Sequence, residues 1–472
     1  MEDKPQEKCA VVAMASRHPV ARSIFFALRA LQHRGQEYAG IATHDGTTIR
    51  DIRGRGLVHE VITEENIGNL EGMRGIGHIL YSIRLSKREN IQPVVVNTSD
   101  GAMTVAHNGI IVNSGELKDQ LKAEGHVFLT DTEEEMILYL ISKELHRGRS
   151  IPEAIRLAMR RTVGSYALTF IINGRTFALR DPYGNRPLCL GRLQEGGFIA
   201  ASESVAIDVL GAEFIRDVRA GELVELTPER LVSHQLFPPD RPAHCFFEWV
   251  YFARPDSRID GIYGYDVRFR IGEHLARETP IEADFVSPIP DSGRAHAIGF
   301  AQASGLPYRE GLIKNRYVAR TFIMPDRDTR GTMVRLKVNA LNNIVNGARI
   351  VVVDDSIVRG TTIREIVALL RRRGAAEVHV RIGSPPLRYP CYLGIDMTMR
   401  DEFIAHGRRV EEVRDEIGAD SLAYISPQGL VEAIGLPAGD LCLGCVLGEY
   451  PVKIPHERLR FQHRVEDFLH SD

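Results

Sequence analysis

The 472-residue chain is predicted to fold as two domains of different class, an α+β half built on antiparallel strands and an α/β half built on a parallel sheet. Three observations lead there. The length exceeds what a single hydrophobic core ordinarily serves. Between Gln235 and Ala243, the run Phe237-Pro238-Pro239-Asp240-Arg241-Pro242 interrupts every periodic pattern and marks a boundary. Apolar periodicity also changes across that boundary, from short alternating runs to an alternation of strand and helix.

Before the boundary, Tyr166 to Ile172, Thr176 to Arg180, Leu188 to Leu193 and Phe198 to Ala201 alternate as stacked antiparallel strands do, with helices expected near Val20 to Leu31, Gly115 to Glu124 and Glu133 to His146. After it come a helix near Gly293 to Ser304, a strand at Ile350, a helix from Thr361 and a strand from Val378 to Ile382. That order implies a parallel sheet whose ligands lie at the carboxyl ends of its strands.

Composition excludes several classes. A net charge of -3 gives no general attraction to nucleic acid or anionic membrane, so any anion site must be local. Arg371-Arg372-Arg373 falls where the helix from Thr361 should end, which suits a solvated face that complements the helix dipole. No stretch approaches the roughly 18 apolar residues that span a bilayer, and the start MEDKPQEK lacks the apolar core of a secretory signal. A cytoplasmic location is expected.

Val351-Val352-Val353 runs into Asp354-Asp355 and then Ser356-Ile357-Val358-Arg359-Gly360-Thr361-Thr362. Amides at a helix N-terminus, with Ser356, Thr361 and Thr362 hydroxyls beside them, suit a phosphate dianion, while the carboxylates can grip ribose hydroxyls or a divalent ion. An Asp-Asp-Ser that only caps the helix is the plainer reading. Two carboxylates exceed what capping needs, however, and Gly360 before two threonines is a costly way to build an ordinary turn.

The segment resembles the phosphoribosyl pyrophosphate (PRPP) signature of type I phosphoribosyltransferases, and its Ser-Ile-Val-Arg-Gly-Thr-Thr wording resembles the amidophosphoribosyltransferase family, which opens purine synthesis. The resemblance implies a leader over residues 1–8, a glutamine amidotransferase domain of N-terminal-nucleophile (αββα) fold over 9–235, and a type I phosphoribosyltransferase domain over 244–472. It is carried in the first half by Leu31-Gln32-His33-Arg34-Gly35-Gln36-Glu37, Gly77-His78, Glu89-Asn90-Ile91-Gln92-Pro93 and His107-Asn108-Gly109. Cleavage after Lys8 would make Cys9 the first residue and nucleophile, with its α-amine (pKa roughly 8) as base for a thiol near roughly 8.5. Asn108 and the Gly109 N–H would stabilise the oxyanion, and Arg34 would help bind substrate. On residues alone, Cys9 reads equally well as a buried strand cysteine and Asn108-Gly109 as a tight turn.

Several positions depart from the family. Ala10 replaces the glycine after the nucleophile, and Leu80 replaces the arginine that clamps the glutamine carboxylate. Ser82 to Arg88 lacks the usual threonine and glycine, and Glu133, with Asp131 nearby, stands for the aspartate that holds the substrate ammonium. Losing one partner of a desolvated charge pair costs roughly 2–5 kcal/mol, so impaired glutamine use is expected, unless Arg84 substitutes.

In the second half, Cys245, Cys391, Cys442 and Cys445 suffice for a Cys₄ site, and spacing alone leaves zinc and an iron–sulfur cluster comparable. Cys245-Phe246-Phe247-Glu248-Trp249, Ser384-Pro385-Pro386 through Cys391, and Cys442 to Tyr450 resemble the cluster-bearing branch, which implies a structural 4Fe-4S cluster on those four cysteines, Cys189 being core. Ser292 of Pro290-Asp291-Ser292-Gly293 would join Asp354 and Asp355 around one Mg²⁺ per subunit, although Asp-Ser-Gly also reads as a helix cap. Lys314-Asn315-Arg316 to Phe322 resembles the loop that closes over PRPP. Lys314, Arg316, Asp354, Asp355, Ser356, Arg359, Gly360, Thr361 and Thr362 are therefore the expected substrate contacts, with Arg335 and Lys337 behind them.

The expected reaction forms 5-phosphoribosylamine, pyrophosphate and glutamate from PRPP, glutamine and water. Purine nucleotides would be feedback inhibitors of a tetramer. Two alternatives remain: an ammonia-dependent phosphoribosyltransferase with a silent glutamine site, and a non-enzymatic PRPP-binding regulator.

Overall fold

The computed structural model describes residues 9–81, 88–99, 101–239, 241–315, 338–397 and 400–454. Among them the chain forms two compact units. The first comprises 9–244 with 392–395 and 450–454, and the second comprises 245–391 and 396–449.

The first unit is two antiparallel sheets. Its strands are β1 (Cys9–Ala15), β2 (Tyr38–His44), β3 (Ile49–Arg55), β4 (Arg74–Leu80), β5 (Val94–Thr98), β6 (Gly101–Ile111), β7 (Gly164–Ile172), β8 (Arg175–Arg180), β9 (Cys189–Arg192), β10 (Phe198–Ala201), β11 (Glu213–Asp217), β12 (Glu222–Leu226) and β13 (Leu231–Gln235). One sheet has the order β11-β9-β10-β1-β4-β2-β3, the other β13-β12-β8-β7-β6-β5. The helices are α1 (Ala21–Ala30), α2 (Val58–Val61), α3 (Ser114–Ala123), α4 (Glu133–His146), α5 (Ile151–Met159) and α6 (Val205–Asp208).

β1 explains the layering. Every one of its residues is buried, because the strand is covered on both faces. Val11, Ala13 and Ala15 meet Ala106, Ala167, Ile171 and Ala178 of the opposite sheet, a layer dominated by small side chains. Ala10, Val12 and Met14 pack instead on Ile24, Ala27 and Leu28 of α1. Leu117 of α3, Ile137 and Ile141 of α4 and Ile155 of α5 cover the second sheet. Helix, sheet, sheet, helix is the αββα order expected. The β7–β8 hairpin turns at Asn173 and Gly174, both at positive φ (49° and 69°), as a type I′ turn requires.

The second unit holds a four-stranded parallel sheet in the order Phe285–Pro288, Arg349–Asp354, Glu377–Ile382, Ser421–Tyr424. Helix Thr361–Arg372 buries Ile363, Ile366, Val367, Leu369 and Leu370 on it, the spacing read from sequence. Arg371 and Arg372 fall in the last turn, where they complement the dipole. The helix expected from Gly293 begins at Arg294. Among the described residues no helix is long and apolar enough to cross a membrane.

Candidate active site

Cys9 opens β1 opposite Leu80, the last residue of β4, and Tyr38 of β2 is the other neighbour of Leu80. Cys9, Tyr38, Leu80 and Ile91 form one small buried apolar cluster. The residue in the clamp position therefore packs against the candidate nucleophile as hydrocarbon and carries no charge there. Residues 82–87, Arg84 among them, lie outside the described residues, as do residues 1–8.

The Gln32–Gly35 turn is wedged against the same strand end. A Cβ on Gly35 would lie 2.6 Å from the Leu80 amide nitrogen, so only glycine fits. Arg34 is 1% exposed, and its guanidinium is paired with the fully buried Glu203, which also holds His33 Nε2 at 2.7 Å. Arg34 is thus engaged within the protein, holding the turn.

Asn108 and Gly109 are on β6, in the other sheet. Two contacts show that they lie at the Cys9 end. Arg74 and Gly101, the first residues of β4 and β6, line one cavity. His78 Nε2 donates to the His107 carbonyl at 3.1 Å. Both strands thus advance together, and two residues beyond that contact stand Leu80 and Gly109. Gly109 has φ +148°, and a Cβ there would fall 2.0 Å from the Ser165 carbonyl oxygen.

Behind this pair is a buried polar network. The His107 N–H donates to Gln92 Oε1 (2.6 Å), Gln92 Nε2 donates to Glu134 Oε1 (3.1 Å), and His107 Nδ1 donates to Glu134 Oε1 (3.0 Å). Burial pushes the His78 pKa down to about 4. Burial also opposes charge on His107, yet the Glu134 carboxylate outweighs it and holds His107 above the usual imidazole range. Glu134 in turn is held below the usual carboxylate range by His107. Glu133 accepts from Ile111 N–H (2.8 Å) and the Ser114 hydroxyl (3.2 Å), while Asp131 is exposed. Glu134 and Glu203 are not marked out by any motif: Glu134 lies within the Glu133-Glu134-Glu135 run that opens α4 and Glu203 between Ser202 and Ser204 ahead of α6, so the sequence offers no signal that either is a buried charge partner.

In the second unit Asp354 ends its strand, and Asp354 and Asp355 are 3% and 0% exposed. The Ser356 hydroxyl donates to Asp355 Oδ2 (2.7 Å) and caps nothing. The cap of helix Thr361–Arg372 is Gly360, whose φ of +78° suits glycine and where a Cβ would lie 2.3 Å from Ile404 Cδ1. Having no side chain, it adds no side-chain cap to the helix, whose first residues are the exposed Thr361 and the half-buried Thr362. Arg359 pairs with Glu402 at 2.7 Å. Ser292 follows the neighbouring strand, and Gly293 approaches so closely that a Cβ would be 2.3 Å from the Val353 carbonyl oxygen. Lys314 Nζ pairs with Asp291 at 2.8 Å. Arg316, Arg335 and Lys337 lie outside the described residues.

The carboxylates of Asp354 and Asp355 and the Ser292 hydroxyl are hard oxygen donors of the kind Mg²⁺ takes. Among the described residues, no three His, Cys, Asp or Glu side chains are gathered as a ready metal cage. The four cysteines lie on segments tied to one another by backbone hydrogen bonds. The strand ending at Cys245 pairs with the one ending at Cys442, and Arg388 and Tyr389 N–H groups donate to the Cys445 carbonyl (3.0 and 3.1 Å). Burial, then Cys391, Cys245 and Cys442, push the Cys445 thiol well above its ordinary range. Cys189 is elsewhere, buried in β9 with its thiol donating to the Ala201 carbonyl.

A family profile described as a glutamine amidotransferase domain matches residues 78–209. The amidophosphoribosyltransferase of Archaeoglobus fulgidus is 50% identical over 456 residues, covering 95% of this chain and 99% of its own. That of Methanocaldococcus jannaschii is 48% identical over 456 residues, covering 93% and 96%. The solved glutamine PRPP amidotransferase of Bacillus subtilis, complexed with ADP and GMP, superposes with a TM-score of 0.89 at 40% identity over 95% of this chain and 98% of its own. A first strand opening at Cys9 in an αββα unit and a strand-to-helix turn after Asp354 on a parallel sheet, joined to identity of this extent over nearly the whole length, mean that the chain belongs to the amidophosphoribosyltransferase family.

Proposed function

We propose that the chain forms 5-phosphoribosylamine from PRPP, with glutamine as nitrogen donor. The observation that carries this is the Asp354–Thr362 segment: two buried carboxylates at a strand's carboxyl end, then an αL glycine that places no side-chain cap over the start of the helix. The 5-phosphate of PRPP binds those amides with Ser356, Thr361 and Thr362, and the carboxylates meet the ribose hydroxyls. Asp354, Asp355 and Ser292 would hold Mg²⁺, which would supply neutralisation of the pyrophosphate leaving group. Lys314, Arg316 and Arg359 add positive charge, Lys314 and Arg359 after exchanging their present carboxylate partners for phosphate.

At the other site Cys9, freed by removal of residues 1–8, attacks the glutamine side-chain amide carbon. The S–C bond forms, the C–N bond breaks, and ammonia leaves with the proton held by the α-amine. Water then cleaves the thioester to glutamate. Ammonia attacks ribose C1, and the C1–oxygen bond to pyrophosphate breaks. Cys245, Cys391, Cys442 and Cys445 are the residues that would hold a 4Fe-4S cluster, whose contribution is structural. The ADP and GMP complexed with the Bacillus subtilis protein support purine nucleotides as feedback ligands, and a cytoplasmic homotetramer completes the proposal.

Leu80 beside Cys9 favours a second reading, in which ammonium is the working donor. Pyrophosphate release measured with glutamine, with ammonium and with neither decides. Glutamate release matching pyrophosphate release supports glutamine use, whereas release with ammonium alone supports the second reading. No release under any condition, with no calorimetric heat from PRPP and Mg²⁺, would leave only a family scaffold. Intact mass reports the leader, and visible absorbance separates cluster from zinc.

A further inference from the structure

β6 is paired with β5 only as far as Val105, so beyond it the edge of β6 that faced β5 is open. The backbone groups that turn to this edge are those of alternate residues. His107 N–H is taken by Gln92, the His107 carbonyl by His78, and Ile111 N–H by Glu133. Gly109 lies between these two pinned residues and turns its N–H to the same edge. One carboxylate organises the inner anchor, since Glu134 Oε1 receives both the His107 ring and the Gln92 amide.

We infer that Glu134 is a positioning residue of the glutamine site: through His107 and Gln92 it fixes the β6 edge so that Asn108 and the Gly109 N–H meet the oxyanion formed at Cys9. The role rests on the proposed glutamine chemistry. Glu134 itself is 5% exposed and shielded by His107 and Gln92, so it acts through them and touches no substrate. A donor displaced by a fraction of an ångström loses much of its value in such a hole, and loss of one donor lowers turnover roughly 10²–10³-fold.

The test is Glu134→Gln, which keeps shape and removes charge, with Glu134→Asp alongside. The Gln variant is expected to lower kcat for glutamate release at least tenfold while KM for glutamine stays within twofold. Ammonia-dependent pyrophosphate release should be unchanged, which also verifies folding. The groups facing His107 are Glu134 and Glu133 from α4, His78 from β4 and the Ser165 carbonyl from β7. Removing the Glu134 charge should therefore move the alkaline limb of the glutamate-release profile toward lower pH. Glu134→Asp should recover part of kcat and restore the limb.

Glutamate release in the wild type with no change in Glu134→Gln, in kcat or in pH profile, overturns the positioning role alone. A wild type that releases no glutamate while using ammonium overturns the role together with the glutamine reading.

Discussion

Nine consecutive residues, Asp354 to Thr362, carry the proposed phosphate cradle of the second unit, whereas the proposed glutamine site of the first draws on segments spread from Cys9 to Glu203. In the cradle each function belongs to a local conformation: a strand end, an αL glycine, a helix start. At the Cys9 end the function belongs to pairings between distant side chains, and single substitutions alter it without disturbing either sheet. Leu80 illustrates this, since it keeps its place in β4 opposite Cys9 while presenting hydrocarbon. A local site thus tolerates little divergence and a dispersed one tolerates much. The consequence is that the two halves are expected to respond differently to mutation.

The sharpest contrast should come from Asp354→Asn with Asp355→Asn. Pyrophosphate release with either nitrogen donor is expected to fall about a thousandfold or more, because substrate grip and leaving-group neutralisation go together. Calorimetry should lose the heat of PRPP, while glutamate release persists. Equal loss of both activities would break the separation of the sites.

Next in size is Arg34→Met. Leaving Glu203 as a buried, uncompensated charge should destabilise the first unit by about 3–5 kcal/mol, read as a lower calorimetric melting transition. The transition of the second unit should not move. A variant as stable as the wild type would mean that Arg34 was held for substrate and not for structure.

Leu80→Arg tests the departure itself. A cation beside Cys9 is expected to raise kcat/KM for glutamine roughly thirtyfold or more, the equivalent of about 2 kcal/mol regained, with ammonia-dependent turnover unchanged. No gain would indicate that another group already serves the carboxylate.

The smallest expected effect concerns acid. His78 has a folded pKa of about 4 against an unfolded value near 6.5, so the unfolded chain binds the proton first as pH falls. Its neutral burial therefore carries no penalty above pH 6.5 and a growing one below. Between pH 7 and 5 this amounts to about 2 kcal/mol. Glu134, held low, adds to the loss as pH falls toward its folded pKa. His107, held high, acts oppositely: its stabilisation is complete below pH 6.5 and disappears as pH rises through its folded pKa. Denaturant unfolding of His78→Gln should show a flatter acid limb than the wild type, and parallel limbs would refute the assignment.

Much of this was legible in the sequence. The β1 run Cys9 to Ala15 is apolar at every position because both faces are covered, and the Ile363 to Leu370 spacing named the helix face buried on the parallel sheet. The expected departure at Leu80 was legible too, as a difference from a motif. The partners were not. Ser356 could be read as a cap, yet its hydroxyl goes to Asp355. Arg34 could be read as a substrate contact, yet a carboxylate 169 residues away holds it.

Sequence alone determined the two-domain order, the strand and helix periods and the residue types offered at each candidate site, because these depend on local conformation and on patterns of apolar spacing. Only the tertiary structure decided which buried charges neutralise one another, Arg34 with Glu203 and His107 with Glu134, and that Cys9 packs with Tyr38, Leu80 and Ile91. The reason is physical: a desolvated charge must find a partner in space, and the partner it finds is set by how two sheets and a helix pack, not by its distance along the chain.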